Sequence, residues 1–330
     1  MRTCPSGIRS IMRHITLVAD WMDPDLKEKI DLRAAKLGFE TAWFSSDAEA
    51  VRDAGRAEIL FGMAPEALKA GGGIRWLCLP FAGIDRFTAP GVVPEGVAVT
   101  NSAGAYGTAI SEHVIMVILM LLRREHLTFG KMAAGEWHRE EKLESLWGKR
   151  VCVCGTGDLG RNCAVRIRAF SPASLVGVSR SGRPLPGFFD AVFPSSQADR
   201  ALRDADVVIL ALPGTDDTED FLSRERMALL PGGAYIVNVG RGRCLDEEAL
   251  IEGLRSGRVA GAALDVMRHE PPAADDPLWH APNLILTPHC AGNMTVRATR
   301  ENCAAMFLED LENYVSGREL KHRVSLRDGY

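Results

Sequence analysis

Apolar and polar positions along the first hundred residues alternate in blocks of two kinds. From His14 onward they predict a strand at Ile15–Ala19, an amphipathic helix at Asp25–Leu37, and a strand near Glu58–Gly62. A short helix after Pro65 and a strand at Trp76–Leu79 follow. Strands alternating with helices build a parallel α/β sheet. A further short strand spans Val97–Thr100, and Thr108 is then placed to cap an apolar helix running through Arg123, with Glu112 in its first turn. Periodicity fades over Leu127–Trp147, where Gly135, Trp137 and His138 are mixed with charges. Such a segment reads as an arm packed on something outside its own sheet, and a subunit partner is the natural candidate.

The rhythm restarts at Lys149. Strands fit Val151–Cys154, Leu175–Val178, Val207–Ala211, Tyr235–Val239, Val259–Leu264 and Leu284–Thr287, and one intervening helix is opened by Asp246-Glu247-Glu248. About six parallel strands make a doubly wound dinucleotide-binding sheet. A last helix from about Thr295 to Val315, ended by Gly317, returns to the first lobe. The expected fold class is therefore α/β, with two Rossmann-like domains carrying parallel sheets. A discontinuous, flavodoxin-like substrate domain (residues 1–104 and 293–330) flanks a dinucleotide domain (105–292) bearing a dimerisation arm at about 123–147. Two crossings act as hinges, and the active site falls in the interdomain cleft.

Composition narrows the function. The chain has 330 residues, 46% hydrophobic and 25% charged, which fits two packed globular domains on a prior of roughly 100 to 200 residues each. A formal net charge of -4 offers no basic face for a nucleic acid. The eight cysteines, at 4, 78, 152, 154, 163, 244, 290 and 303, form neither a CxxC pair nor a zinc spacing and read as reduced thiols of a cytoplasmic protein. Cys152 and Cys154, alternating with valines, are small apolar filler. Arg2, Arg9 and Arg13 are not followed by an apolar stretch of signal-peptide length, so export is not expected, and residues 1–11 read as an upstream extension or a loose tail. The longest apolar run, Val114–Leu122, is far short of the roughly 20 residues that cross a bilayer and reads as a buried helix.

Gly155-Thr156-Gly157-Asp158-Leu159-Gly160 directly follows the strand Val151–Cys154 and opens a helix. In that context Gly155 permits a tight turn, Gly157 lets backbone approach a pyrophosphate, Gly160 lets helix and strand pack, and the helix N-terminus offers N–H groups to the anion. About twenty residues on, a fold that binds NAD normally presents Asp or Glu to the ribose 2'-hydroxyl. Here the strand ends Val178-Ser179-Arg180-Ser181, with no carboxylate. Arg180 between two hydroxyls suits a 2'-phosphate, so NADP(H) is the expected cofactor and NAD(H) the alternative. Arg183 is a second candidate for that role, and a solvated arginine at a strand end is the competing reading. Three further segments close successive strands: Asn238-Val239-Gly240-Arg241-Gly242, Asp265-Val266-Met267-Arg268-His269-Glu270-Pro271, and Thr287-Pro288-His289-Cys290-Ala291-Gly292. Carboxyl ends of parallel strands line the ligand crevice.

These segments, with Gly83 and Asp85 in Phe81-Ala82-Gly83-Ile84-Asp85, Glu112, the glycine loop, and Leu212-Pro213 with Thr218, give the chain a resemblance to the D-isomer-specific 2-hydroxyacid dehydrogenases over nearly its whole length. The resemblance implies catalytic roles for Arg241, Glu270 and His289. It also implies cofactor contacts at Thr108, the glycine loop, Leu212, Pro213, Thr218, Val239, Gly240, Arg241, Asp265, His289 and Gly292. The expected reaction is reduction of a small 2-keto acid of the glyoxylate or hydroxypyruvate kind to the D-2-hydroxy acid, and its reverse. An NAD-preferring phosphoglycerate or other hydroxyacid dehydrogenase is the runner-up; a nucleotide-sensing corepressor-like dimer is the reading from another class. Formate dehydrogenases of this scaffold carry glutamine where Glu270 stands.

Elementary chemistry supports the same assignment. Reducing a ketone requires a proton for the developing alkoxide, and histidine is the side chain that changes charge near neutrality. His289 is the donor, and Glu270 as its partner favours the imidazolium. Arg241 offers a planar fork to the substrate carboxylate, and backbone N–H groups around Ala82 and Gly83 are placed to complete carboxylate binding from the other lobe on closure. His113, His126, His138, His269, His280 and His322 lack such support and read as structural or solvent-facing. No His/Asp/Glu cluster has metal spacing. Trp137 reads as a dimer-packing aromatic, while the resemblance would bring it to the partner's substrate pocket.

Overall fold

The computed structural model describes residues 12–140 and 142–326. The expectation of an extension or loose tail at residues 1–11 falls outside them. The chain divides into two compact units, Met1–Ala105 with Met294–Tyr330, and Tyr106–Asn293.

The first unit holds a five-stranded sheet of β1 (Arg13–Val18), β2 (Phe39–Phe44), β3 (Ile59–Gly62), β4 (Trp76–Cys78) and β5 (Ala98–Thr100), in the order β2-β1-β3-β4-β5. All pairs are parallel. Between them run α1 (Pro24–Lys36), α2 (Asp47–Ala50) and α3 (Pro65–Ala70). β2 escapes the sequence pattern because only Phe39 of its six residues is buried, so no alternation marks it. The inward faces are strongly apolar: Ile15, Leu17, Ile59, Leu60, Phe61 and Trp76 are all fully buried. The Trp76 indole N–H donates to Thr100 Oγ1 at 2.9 Å, which satisfies the one polar atom that this large side chain takes inside. The last helix of the chain, described below as α10, packs Phe307 against Trp76 with ring centroids 5.5 Å apart.

The second unit begins with α4 (Gly107–Arg123) and α5 (Glu125–Ala133). It then builds seven parallel strands: β6 (Arg150–Cys154), β7 (Ser174–Ser179), β8 (Ala191–Pro194), β9 (Val207–Leu210), β10 (Ala234–Asn238), β11 (Val259–Leu264) and β12 (Leu284–Leu286). Between strands lie α6 (Asp158–Arg168), α7 (Ala198–Leu202), α8 (Arg224–Leu229) and α9 (Glu247–Ser256); α10 (Arg297–Val315) belongs to the first unit. The order is β12-β11-β10-β9-β6-β7-β8, a doubly wound arrangement whose strand order reverses between β6 and β9. Seven strands, not about six, form the sheet. The extra one, β8, is a four-residue edge strand with no buried residue and a terminal proline, a composition that only an edge tolerates and that carries no sequence signal.

Two local expectations change. Thr108 does not cap α4: it is the second residue of a helix whose N-cap is Tyr106, with no side-chain cap. Helix begins earlier because Gly107 sits where a Cβ would lie 2.4 Å from Asp158 Oδ2, so α4 enters tight against α6. The segment after Arg124 is not irregular throughout, since α5 is helical. It buries no residue, which is why no apolar period announces it. The expected cap at Asp246 is present and accepts from Ala249 N at 2.9 Å.

Candidate active site and dinucleotide loop

Parallel register brings the motif segments to one edge of the second unit's sheet. Cys154 pairs with Val178 and Leu210, Asn238 with Leu210 and Leu264, and Leu264 with Leu286. Gly155, Ser179, Ala211, Val239, Asp265 and Thr287 therefore stand at the same level, at the carboxyl ends of their strands. Segments far apart in sequence are lined up in this way by main-chain hydrogen bonding between neighbouring strands.

The glycine loop separates into two kinds of glycine. Gly155 has φ +103°, and a Cβ there would lie 2.3 Å from Ala211 O; a Cβ on Gly160 would lie 1.9 Å from Gly155 O. Both are demanded by the chain itself. Gly157, the N-cap of α6, would meet nothing within 4 Å. No protein neighbour explains it, whereas a pyrophosphate lying on the helix N-terminus does, and the loop fits that group. Thr156 packs its methyl towards Gly177 of β7, and Leu159 sits against the core. The Asp158 carboxylate turns towards α4, with Asn162 Nδ2 at 3.2 Å; burial holds its pKa above the usual carboxylate range.

At the end of β7, Ser179 Oγ accepts from Gly182 N at 3.1 Å and Ser181 Oγ from Arg183 N at 3.3 Å. The two serines shape a turn that leaves Arg180 and Arg183 exposed.

The loops after β9, β10 and β11 are packed backbone to backbone. A Cβ on Gly240 would lie 2.5 Å from Leu212 O, and one on Gly242 would lie 2.0 Å from Met267 C and O. Buried Asn238 fixes the first of these turns: its Nδ2 donates to Arg241 O at 3.0 Å and its Oδ1 accepts from Gly240 N at 3.1 Å. Arg241 lays its stem along Gly214 and bonds Gly240 O from Nη1 at 2.8 Å. Thr218 braces the loop after β9 through Pro213 O at 2.6 Å.

Asp265 is buried and holds the loop after β12. Its Oδ1 accepts from Thr287 Oγ1 at 2.6 Å and Cys290 N at 2.9 Å, and its Oδ2 from Ala291 N at 3.0 Å. His289 stands between these anchors with φ +51°, a left-handed conformation uncommon outside glycine, held here by hydrogen bonds from its N–H to Asp265 O and Thr287 O. Its Nδ1 lies 2.6 Å from Glu270 Oε2, and Glu270 Oε1 accepts from Met267 N at 3.0 Å. A hydrogen bond to a carboxylate oxygen places the hydrogen on Nδ1 and turns Nε2 away from Glu270. A cavity of about 430 Å³ opens beside the pair, walled by Met267, Pro271, Pro272, Trp279 and Leu286.

Sequence reasoning treats Asp265 only as a cofactor contact and gives Asn238 no role; His113, expected to be structural or solvent-facing, sits beside the Asp265 network. His113 Nε2 lies 3.4 Å from Thr287 Oγ1, and burial pushes its pKa down, so the neutral ring can donate there. A polar residue in an otherwise apolar strand end, as at Asn238, was the available signal. Gly292 packs against Ile110 and Tyr106 of the same unit. Ala82 and Gly83 lie in the first unit beyond β4, where Asn101 Nδ2 donates to Ala82 O at 2.6 Å. Trp137 is 80% exposed. Among the described residues, no group of three or more His, Cys, Asp or Glu side chains could hold a metal, and no helix is long and apolar enough to cross a membrane.

Residues 115–291 match a family model described as the NAD-binding domain of D-isomer-specific 2-hydroxyacid dehydrogenases. A glyoxylate/hydroxypyruvate reductase of Arabidopsis thaliana is 32% identical over 72% of this chain and 74% of its own length. The D-3-phosphoglycerate dehydrogenase of Archaeoglobus fulgidus is 27% identical over 92% of this chain, which spans only 58% of that relative. The solved structure of an NADPH-dependent glyoxylate/hydroxypyruvate reductase from Sinorhizobium meliloti, in complex with NADP and sulfate, superposes with a TM-score of 0.79 at 26% identity, covering 96% of this chain and 99% of that one.

Proposed function

Since the chain belongs to the D-isomer-specific 2-hydroxyacid dehydrogenases, and is thus an oxidoreductase of small 2-hydroxy and 2-keto acids, we propose that it reduces a glyoxylate- or hydroxypyruvate-like 2-keto acid to the D-2-hydroxy acid, reversibly, with NADP(H) preferred over NAD(H). The observation that carries this reading is the His289–Glu270 contact at 2.6 Å, on the same sheet edge as the open Gly157. When bound, a dihydronicotinamide would supply hydride for the carbonyl carbon. His289 Nε2 delivers the proton to the carbonyl oxygen, and Glu270 stabilises the imidazolium beforehand. Arg241 binds the carboxylate and polarises the ketone. The glycine loop, Leu212-Pro213, Val239-Gly240 and Asp265 are the residues that would hold the dinucleotide. The test is turnover of a 2-keto acid panel with both cofactors and chiral analysis of the product. A D-2-hydroxy acid is expected; dinucleotide binding without consumption would favour a sensor, and turnover confined to 3-phosphohydroxypyruvate would favour the phosphoglycerate reading.

Cofactor choice rests on Arg180. An acidic residue at the end of β7 would repel a 2'-phosphate, and none stands in Ser179-Arg180-Ser181. A charge-assisted bond contributes about 1.5 to 3 kcal/mol, roughly 10- to 150-fold in Kd. Arg180→Ala should erase most of a preference for NADPH of about tenfold or more while leaving NADH kinetics nearly unchanged. Equal kcat/KM for both cofactors in the unaltered protein would remove the basis of this assignment.

Homodimerisation is part of the same proposal. Phe129, Met132, Trp137, Leu143 and Trp147 are exposed on α5 and the segment after it, and α5 has no core of its own. A twofold partner would cover them, with Trp137 packed in the interface. Light scattering at micromolar concentration should give a dimer; a monomer contradicts it.

A further inference from the structure

Four acids and two arginines tie together the three loops that carry the site. Arg268 Nη1 donates to Glu219 Oε1 at 2.5 Å, and its Nη2 reaches Asp220 Oδ1 together with Leu245 O at 3.3 Å and Arg243 O at 3.5 Å. Its backbone N–H donates to Glu247 Oε1, at the start of α9, at 2.7 Å. Arg243 Nε in turn bonds Glu219 Oε2, and its Nη2 reaches Asp216 Oδ1 at 3.3 Å. Main-chain bonds run alongside, from Asp220 N to Arg243 O at 2.9 Å and from Leu222 N to Cys244 O at 3.0 Å. Glu219 is thus gripped by two guanidiniums, and the hydrogen bonds from Arg243 and then Arg268 hold its carboxyl below the usual range.

Each loop joined by this cluster bears a group of the proposed chemistry. Asp216, Glu219 and Asp220 belong to the loop that begins Leu212-Pro213; Arg243 stands two residues after Arg241, and Arg268 two residues before Glu270. Exposed ion pairs contribute little to stability singly, and Arg268, Glu219 and Arg243 are all about a third exposed or more. Their geometry matters in another way. The Arg241 and Glu270 loops already touch through Gly242, where a Cβ would lie 2.4 Å from Arg268 N, so a small sliding of either loop moves the substrate fork against the proton donor.

We propose that Arg268, through Glu219 and the main chain of residues 243–245, is a positioning residue that sets the distance between the Arg241 fork and the Glu270–His289 pair. Nothing in the chemistry of the reaction requires an arginine there: the hydrogen bonds and ion pairs of Arg268 go to Glu219, Asp220, Glu247 and the main chain of Arg243 and Leu245, so it acts on the loops that bear the pair. The proposal rests on the 2-keto acid reductase reading, because its readout is the placement of that substrate's carboxylate and carbonyl together.

The test compares Arg268→Ala, Arg268→Lys and Glu219→Gln with the unaltered protein, on whichever 2-keto acid that protein turns over best. A misplacement of about 1 Å costs up to roughly 100-fold, so Arg268→Ala should lose about 10- to 100-fold in kcat/KM, with KM raised as well as kcat lowered. Dinucleotide affinity, read by fluorescence titration, should fall by clearly less than kcat/KM, because the glycine loop lies outside the cluster even though the loops it joins carry the Leu212-Pro213, Val239-Gly240 and Asp265 contacts. Arg268→Lys keeps one ion pair and should recover part of the loss, and Glu219→Gln should shift KM and kcat in the same direction by less. Should Arg268→Ala fail to fold, the other two variants carry the test. Unchanged kinetics in folded variants overturn the proposal, as does a fall in melting temperature and active fraction with KM unmoved, which marks a merely structural brace. Absence of turnover in the unaltered protein overturns the reductase reading instead, and is recognised before any variant is made.

Discussion

Replacing His289 with glutamine is expected to lower kcat by about 100-fold or more, the usual scale for losing a positioned acid, while dinucleotide affinity stays near normal. The expectation follows from the geometry of one contact. Glu270 is held by Met267 N on one oxygen and meets His289 Nδ1 at 2.6 Å on the other, so the ring is oriented with Nε2 turned away from its partner. Glutamine can still donate to Glu270 and fill much of the same space, but it has no group that yields a proton near neutral pH. The backbone at this position, with φ +51°, is held by hydrogen bonds from His289 N to Asp265 O and Thr287 O at 2.9 Å each, and these do not depend on the side chain. The variant should therefore fold normally. Turnover near that of the unaltered protein would assign the proton to another group.

The second large effect is expected at Arg241. Lysine keeps the charge and loses the fork, so one of two charge-assisted bonds to a carboxylate disappears; at about 1.5 to 3 kcal/mol this is roughly 10- to 150-fold in kcat/KM. The stem of Arg241 lies along Gly214, and Nη1 is steered by Gly240 O at 2.8 Å, a hold that an ammonium on a flexible chain does not reproduce. Both KM and kcat should suffer, since the proposed role gives the same guanidinium both the carboxylate and the carbonyl. An unchanged kcat/KM for the best 2-keto acid would place carboxylate binding on other residues.

Much of the second unit is legible in the chain because its strands are short apolar runs that end in chemistry. Val151–Cys154, Val207–Leu210 and Ala234–Asn238 are buried almost throughout, and a fully buried parallel strand reads as an unbroken apolar run. The strands that escaped are those whose burial is incomplete: β2 buries one residue of six and β8 none of four. Edge strands are held by hydrogen bonds of the main chain, which leave no trace in side-chain periodicity. For the same reason α5, which buries nothing within the chain, carries no apolar period and is indistinguishable from an irregular arm in the sequence.

Within the candidate site the division is similar. By itself the sequence singled out the side chains proposed to bring chemistry to the strand ends, because a glycine loop, an arginine, a glutamate and a histidine in that order after apolar runs have few other uses. Only the tertiary structure decided how they are held. Asp265 spends both oxygens on the His289 loop, Asn238 ties the Arg241 turn, and the Arg268–Glu219–Arg243 cluster joins three loops whose segments lie up to 49 positions apart. Those partners are chosen by distance in space, which the register of a parallel sheet creates after the chain has folded and which no spacing along the chain encodes.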